Sequence, residues 1–329
     1  MNPLRDISRH LVRREVLLVL VIIGGVWSVS LGARTISLGD ILTGNPDVWR
    51  IVLLSRIPRL VSVLLAGAGL AVSGLILQSI LRNRFASPGT AATIDGARVG
   101  FVLAVLLIPE APTLIRIIAA AVTALAATSL FVFLIGKIRY RSVVVVPLLG
   151  LVLGNVLDAA AEAIAYHFDM IQSVSSWLVG DFSMIVQGRY EVLLISIPLV
   201  LLAFRYARIF TIAGLGKETA GSLGLNYGTT VVLAVLIVSS ITAVAVVVGG
   251  EIPFIGLVVP NIIAIVHGDN LSRTIPETAL LGAVFLLVSD ILGRIIIHPY
   301  EIPIGLTMGV VGSAVFLLMV MQGRLDGSR

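Results

Sequence analysis

The chain has 329 residues, of which 58% are apolar and only 12% charged. A soluble domain is about a quarter charged, so this composition excludes a soluble enzyme, a nucleic-acid-binding module and a disordered chain. The formal net charge of +5 fits the positive-inside bias of membrane proteins, and the lack of cysteine excludes disulfides, thiolate metal sites and cysteine nucleophiles.

Ten apolar segments follow in chain order, at roughly 16–33, 60–81, 91–109, 114–136, 143–165, 191–204, 229–250, 255–266, 277–297 and 304–322. A run of about 20 apolar residues crosses a bilayer as a helix, so the pattern predicts an all-α, multi-pass membrane protein of ten helices in one domain over 1–329. Arg5, Arg9, Arg13 and Arg14 precede the first segment. That run is too long for a secretory signal core, and its basic flank predicts an N-terminus on the cytoplasmic side. With ten spans, fifteen Lys and Arg fall on the inner side and seven on the outer, which predicts that both termini lie inside. Segment 255–266 is short: 12 residues rise only about 18 Å as a helix, so hydropathy leaves open a re-entrant segment there.

The connections differ in kind. Residues 35–58 form a long outer loop whose apolar Ile36, Leu38, Ile41 and Leu42, with Trp49, predict a short interfacial helix. Residues 166–190 form a second outer loop. The longest inner loop spans 205–228, with its centre at 209–228. There Gly214 and Gly216 allow a sharp turn, Lys217 to Leu223 suits a short helix, and Gly224 suits its stop. A plain loop has little need for a helix framed by glycines.

No catalytic set is present. The four histidines form no His-Glu-x-x-His pair, and no Gly-x-x-x-x-Gly-Lys-Ser/Thr loop exists to cradle a nucleotide. The chain is therefore not an enzyme. Any ATP-driven work would need another chain to hold the nucleotide.

Charged residues carry the remaining signal. Arg56-Ile57-Pro58-Arg59 stands at the mouth of the second span, against the positive-inside bias. Spacing alone leaves headgroup anchoring and docking of external carboxylates open, the latter because Arg offers a planar fork. Asp95 and Arg98 lie three apart on one helical face, and Asp158 and Glu162 lie four apart on another. Charges within a membrane are costly and often functional. For Asp95 with Arg98 a structural pair is favoured. Asp158 and Glu162 fall in the outer third of their span, where water is near.

Taken in order, several motifs resemble the FecCD-type permease subunits, the membrane halves of ATP-driven importers for ferric siderophores, haem and vitamin B12. They are Arg56-Ile57-Pro58-Arg59-Leu60; Gly67, Gly69, Ser73-Gly74 and Gln78; Leu81-Arg82-Asn83; Ser87-Pro88-Gly89; and Trp177-Leu178-Val179-Gly180. Leu215-Gly216 to Leu223-Gly224, Phe254 to Pro260, Asp290, Arg294 and Glu301-Ile302-Pro303-Ile304-Gly305 complete them. The likeness covers nearly the whole chain.

The resemblance implies ten helices in the type II ABC importer permease fold, with 255–266 as a short span. It implies placement in the bacterial cytoplasmic (inner) membrane and a dimer of permease subunits, a heterodimer favoured over a homodimer. The translocation path then runs between the subunits, lined mainly by the fifth and tenth spans. It implies that Leu215, Gly216, Glu218, Thr219, Ala220, Leu223 and Gly224 couple to one of two cytoplasmic ATPase subunits. ATP and Mg would sit on those subunits, and this chain would bind no cofactor or metal directly. It also implies that Arg56, Arg59 and Arg294 face glutamates on an extracytoplasmic substrate-binding protein. Asn261 stands where the family usually has His, Gly250-Glu251-Ile252-Pro253 replaces Gly-Pro-Ile-Gly, and Thr93 to Arg98 replaces a Ser/Gly-rich stretch. The last variant looks like a subgroup tied to catecholate-type siderophores such as petrobactin, vibriobactin or anguibactin. The expected function is a ferric-siderophore importer permease; vitamin B12 or haem is the alternative cargo, and a proton- or ion-coupled transporter using Asp95, Arg98, Asp158 and Glu162 is the alternative class.

Overall fold

A computed structural model describes residues 12–32, 39, 45–138 and 142–323. Of the basic residues used for orientation, Arg5, Arg9, Arg34, Arg139, Arg141, Arg324 and Arg329 lie outside that set, as do Ile36, Leu38, Ile41 and Leu42. Helices stand at all ten predicted segments: α1 (Arg14–Ser30), then α2 (Pro46–Ile51), which runs through a π-turn (Val52–Arg56) into α3 (Ile57–Leu81). Next come α4 (Thr93–Leu107), α5 (Thr113–Lys137), α6 (Val145–His167) and α7 (Ile171–Leu178). A 3-10 turn (Glu191–Ile195) leads into α8 (Ser196–Arg205), which bends by 59° into α9 (Ala207–Ala213). The rest are α10 (Lys217–Ser222), α11 (Tyr227–Gly249), α12 (Ile255–His267), α13 (Leu271–Ile295) and α14 (Ile304–Met321). No named strand occurs among the described residues; a single parallel bridge joins Val179 to Glu251.

Six of these helices are long and apolar enough to cross a membrane, or seven if α8 and α9 count as one bent span. The shorter ones have a geometric cause. A Cβ on Gly256 would meet Pro88 at 2.9 Å and the Leu70 carbonyl at 3.0 Å, so Pro88 and the start of α12 lie level with the middle of α3. From there α4, with 15 residues, need climb only about 22 Å to one end of the bundle. Helix α12, with 13 residues, descends to the other end, where Arg84 pairs with Asp269 at 3.0 Å. Because α11 ends opposite, the stretch from Gly249 to Asp269 crosses the bundle, its first part as extended chain. Helix α12 by itself remains shorter than a full span.

Helix α3 is the hub, with 72% of its apolar window buried, and it packs on α11, α12 and α13. In lipid there is no hydrophobic force between helices, so close contact of small residues carries the packing. A Cβ on Gly67 would lie 2.5 Å from the Gly282 carbonyl, and one on Gly74 only 1.8 Å from that of Gly256. Pro260 inside α12 removes one helical donor. Buried Asn261 beside it ties α12 to the end of α3: its Nδ2 donates to the Leu257 and Arg84 carbonyls, both at 2.8 Å. In contrast, α6 and α14 have only 22% and 28% of their apolar windows buried. Both leave apolar rows exposed, among them Leu148, Val152 and Val156 on α6 and Leu306, Val310 and Leu317 on α14.

Candidate functional site

At one end of the bundle five charged residues from four segments meet. Arg59 on α3 reaches Asp290 on α13 through Nε at 3.1 Å and Nη2 at 2.8 Å, and its Nη1 reaches Glu301 at 2.6 Å. Arg294, one turn beyond Asp290 on α13, takes the other oxygen of that carboxylate. Its Nη1 also donates to the Ser28 carbonyl at 2.9 Å. Arg56, at the end of the π-turn, donates to the Leu31 carbonyl. Guanidinium groups thus cap the C-terminal carbonyls of α1, where a cation is favoured.

The docking reading places Arg56, Arg59 and Arg294 opposite glutamates of an external partner. In the single chain Arg59 is 8% exposed and Arg294 3%, and both tie its segments together. Arg56 is half-buried, and Glu301 keeps 28% of its side chain open. Asp290 and Glu301, read only as motif letters in the sequence, are the anions that hold this cluster. The (i, i+4) spacing of Asp290 and Arg294 was the one local signal for it.

A second cluster lies nearer the middle of the same half. Arg98 on α4 contacts Asp158 on α6 at 2.5 Å and Glu251, after α11, at 3.6 Å. The expected pairing of Arg98 with Asp95 is corrected: Arg98 turns to α6 and the α11–α12 connection, while the Asp95 carboxylate packs against Gly154, whose Cβ would meet it at 2.5 Å. Glu162 is exposed and, with Arg98, Ser175 and Val179, lines a pocket of about 200 Å³ between α6 and α7. Sequence reasoning noted Glu251 as a departure from the family pattern but assigned it no role.

The opposite end carries the glycine-framed segment. Gly216 has φ +106° and Gly224 φ +78°, and the intervening helix α10 ends one residue short of the predicted Leu223. Ala220 is buried, whereas Glu218 and Thr219 are exposed. Leu215 and Leu223 flank the helix at 52% and 62% exposure. The segment rests on the end of α3: Ser79 Oγ donates to the Phe210 carbonyl at 3.0 Å, and a Cβ on Gly216 would meet Arg82 at 2.8 Å. Thr211 Oγ1 accepts from the Leu271 amide at 3.1 Å, joining α9 to α13. Since α3 has 25 residues, about 37 Å of helix separates this segment from the arginine cluster.

The sequence profile of the FecCD transport family matches residues 19–322. The chain belongs to the FecCD transport family. This FecCD chain is 47% identical over 306 residues to the petrobactin import system permease protein YclN of Bacillus subtilis, covering 93% of this chain and 97% of YclN. It is 40% identical to the ferric-anguibactin transport system permease protein FatD of Vibrio anguillarum, over 90% of this chain and 94% of FatD. The hemin transport system permease protein HmuU of Yersinia pestis is 30% identical, over 94% and 95% of the two chains. A metal-chelate type ABC transporter solved in an inward-facing conformation shares the fold, with a TM-score of 0.81 over 94% of this chain and 98% of that one at 23% identity. The FecCD chain is therefore a multi-pass membrane transport protein with the ABC importer permease fold.

Proposed function

We propose that this FecCD chain is the membrane permease subunit of an ATP-driven importer of ferric siderophores, placed in the cytoplasmic membrane with both termini inside. The observation that carries the reading is the gradient of identity among its relatives. Two permeases named for petrobactin and anguibactin stand at 47% and 40%, and one named for hemin at 30%. With no nucleotide-binding loop in the chain, ATP and Mg belong to a separate ATPase pair at the α10 end. Exposed Leu215 and Leu223, spaced by rigid α10, suit a groove on that partner.

The sparsely buried α6 and α14 are the faces that would meet a second permease subunit and border the path. The arginine end would receive a substrate-binding protein. Half-buried Arg56 and partly open Glu301 form the accessible part of that rim, and Arg59 and Arg294 hold its shape. The test is reconstitution of the chain with its genetic-neighbour ATPase, second permease and binding protein in vesicles. Uptake of ferric catecholate that needs ATP and the binding protein supports the proposal. Uptake of cobalamin or haem in its place overturns the cargo assignment.

A further inference from the structure

The two charged clusters are linked through backbone. Three segments far apart in sequence tie together near the arginine end. The Glu251 amide donates to the Leu178 carbonyl at 3.0 Å, the Asp181 amide to that of Gly249 at 2.9 Å, and the Gly305 amide to that of Gly180 at 2.9 Å. The knot needs glycine: a Cβ on Gly180 would sit 2.3 Å from the Glu251 carbonyl, and Gly250 has φ +75° with the Val179 carbonyl 2.8 Å from where its Cβ would be. From Gly305 the chain leads back through Ile302, whose amide donates to Gly293 at 2.9 Å, to Glu301 on Arg59. From Gly250 it leads forward to Glu251, whose carboxylate faces Arg98.

Little of helix α6 is buried. Near Arg98 it is held by the Asp158 carboxylate on Arg98, by the packing of Gly154 on Asp95 and by buried Ala161 and Ala165 beside Val102. The two arms of Arg98 are unequal. Asp158 lies at contact distance, and Glu251 at 3.6 Å lies just beyond a hydrogen bond. A small advance of the knot toward Arg98 would strengthen the Glu251 arm at the expense of the Asp158 arm.

We propose that Arg98 is a positioning residue for transport, latching the outer half of α6 through Asp158 and releasing it when the glycine knot brings Glu251 forward. The inference rests on the proposed permease role for its consequence, but not for its test. Arg98 has five donors in a rigid fork, so it can pass from one carboxylate to the other without being left bare. A load on the rim at Glu301 and Arg59 reaches α6 by this route.

The chain has no cysteine, so spin labels can be placed at will. A pair at exposed Val156 on α6 and exposed Val122 on α5 reports the position of α6 in the assembled transporter in lipid nanodiscs. The two carboxylate variants are expected to act in opposite directions, which a merely structural ion pair would not do. Asp158→Asn broadens the resting distance distribution, raising the open fraction about tenfold, as loss of a close ion pair between partly buried groups does. Glu251→Gln leaves the resting distribution narrow and keeps it narrow when ATP and vanadate are added. Arg98→Gln behaves as Asp158→Asn, and Arg98→Lys restores part of the narrow population. The Arg98 side chain is 15% exposed and each substitution leaves it one carboxylate; thermal unfolding of both variants in detergent checks that they remain folded. Resting distributions that match wild type in both carboxylate variants, or broaden alike in both, overturn the latch. Failure of the permease reading would show differently, as a wild-type chain that does not respond to ATP.

Discussion

Arg59 and Glu301 stand 242 positions apart in sequence and meet at 2.6 Å. Their contact closes the arginine cluster on its open side, and it divides the cluster in two: a buried part on Asp290 and a solvent-reached part on Glu301. The division decides how substitutions should behave.

Asp290 holds two guanidinium groups with almost no exposure of its own. Asp290→Asn leaves buried positive charge uncompensated, which costs about 3–5 kcal/mol. The expected outcome is a chain that unfolds at markedly lower temperature in detergent. Glu301→Gln removes a partner that water can replace, so its cost should stay below about 1 kcal/mol. Thermal unfolding of the two variants side by side checks the contrast, and equal losses would contradict it.

Docking should separate from stability in the same way. Arg56→Glu places a carboxylate on the accessible rim and should weaken association with the binding protein about tenfold at low salt, less at high salt. Arg294→Met should lower thermal stability and cause no salt-dependent change in docking in the fraction that remains folded. The measurement is binding-protein affinity for each variant in nanodiscs at two salt concentrations.

At the opposite end, Leu215 and Leu223 are exposed, so Leu215→Ser with Leu223→Ser should change stability by less than about 0.5 kcal/mol each. The double variant should nonetheless lose uptake, with ATPase activity that no longer rises when loaded binding protein is added. Normal stimulation would remove these leucines from the coupling contact.

The close crossing of α3 and α12 gives a packing prediction. Gly74→Ala drives a methyl into the Gly256 carbonyl and must part the helices, which costs about 1–3 kcal/mol. Gly221→Ala, where nothing lies within 4 Å of the added carbon, should be silent. Detergent thermostability distinguishes them.

Much of this architecture was legible because the bilayer imposes a one-dimensional signal: apolar runs marked all ten helical segments, and the glycines at 216 and 224 marked α10. Helix α7 within the second long connection was missed, since eight residues of mixed polarity carry no such signal. The short helices were ambiguous because hydropathy cannot show that α4 and α12 start at mid-depth. Partner choice was the least legible. Arg98 had Asp95 three residues away and took Asp158 and Glu251 instead, because the α4–α6 approach at Gly154 and the glycine knot bring those carboxylates to it. The burial of Arg59 and Arg294 was hidden for the same reason: their anion, Asp290, arrives on α13, 231 positions beyond Arg59.

The most direct test of the account is transport by the purified, reconstituted complex loaded with radioactive iron as a ferric catecholate. The account predicts uptake that requires ATP hydrolysis and the binding protein and is unchanged by a protonophore. Uptake that proceeds without ATP and collapses with the proton gradient would contradict it.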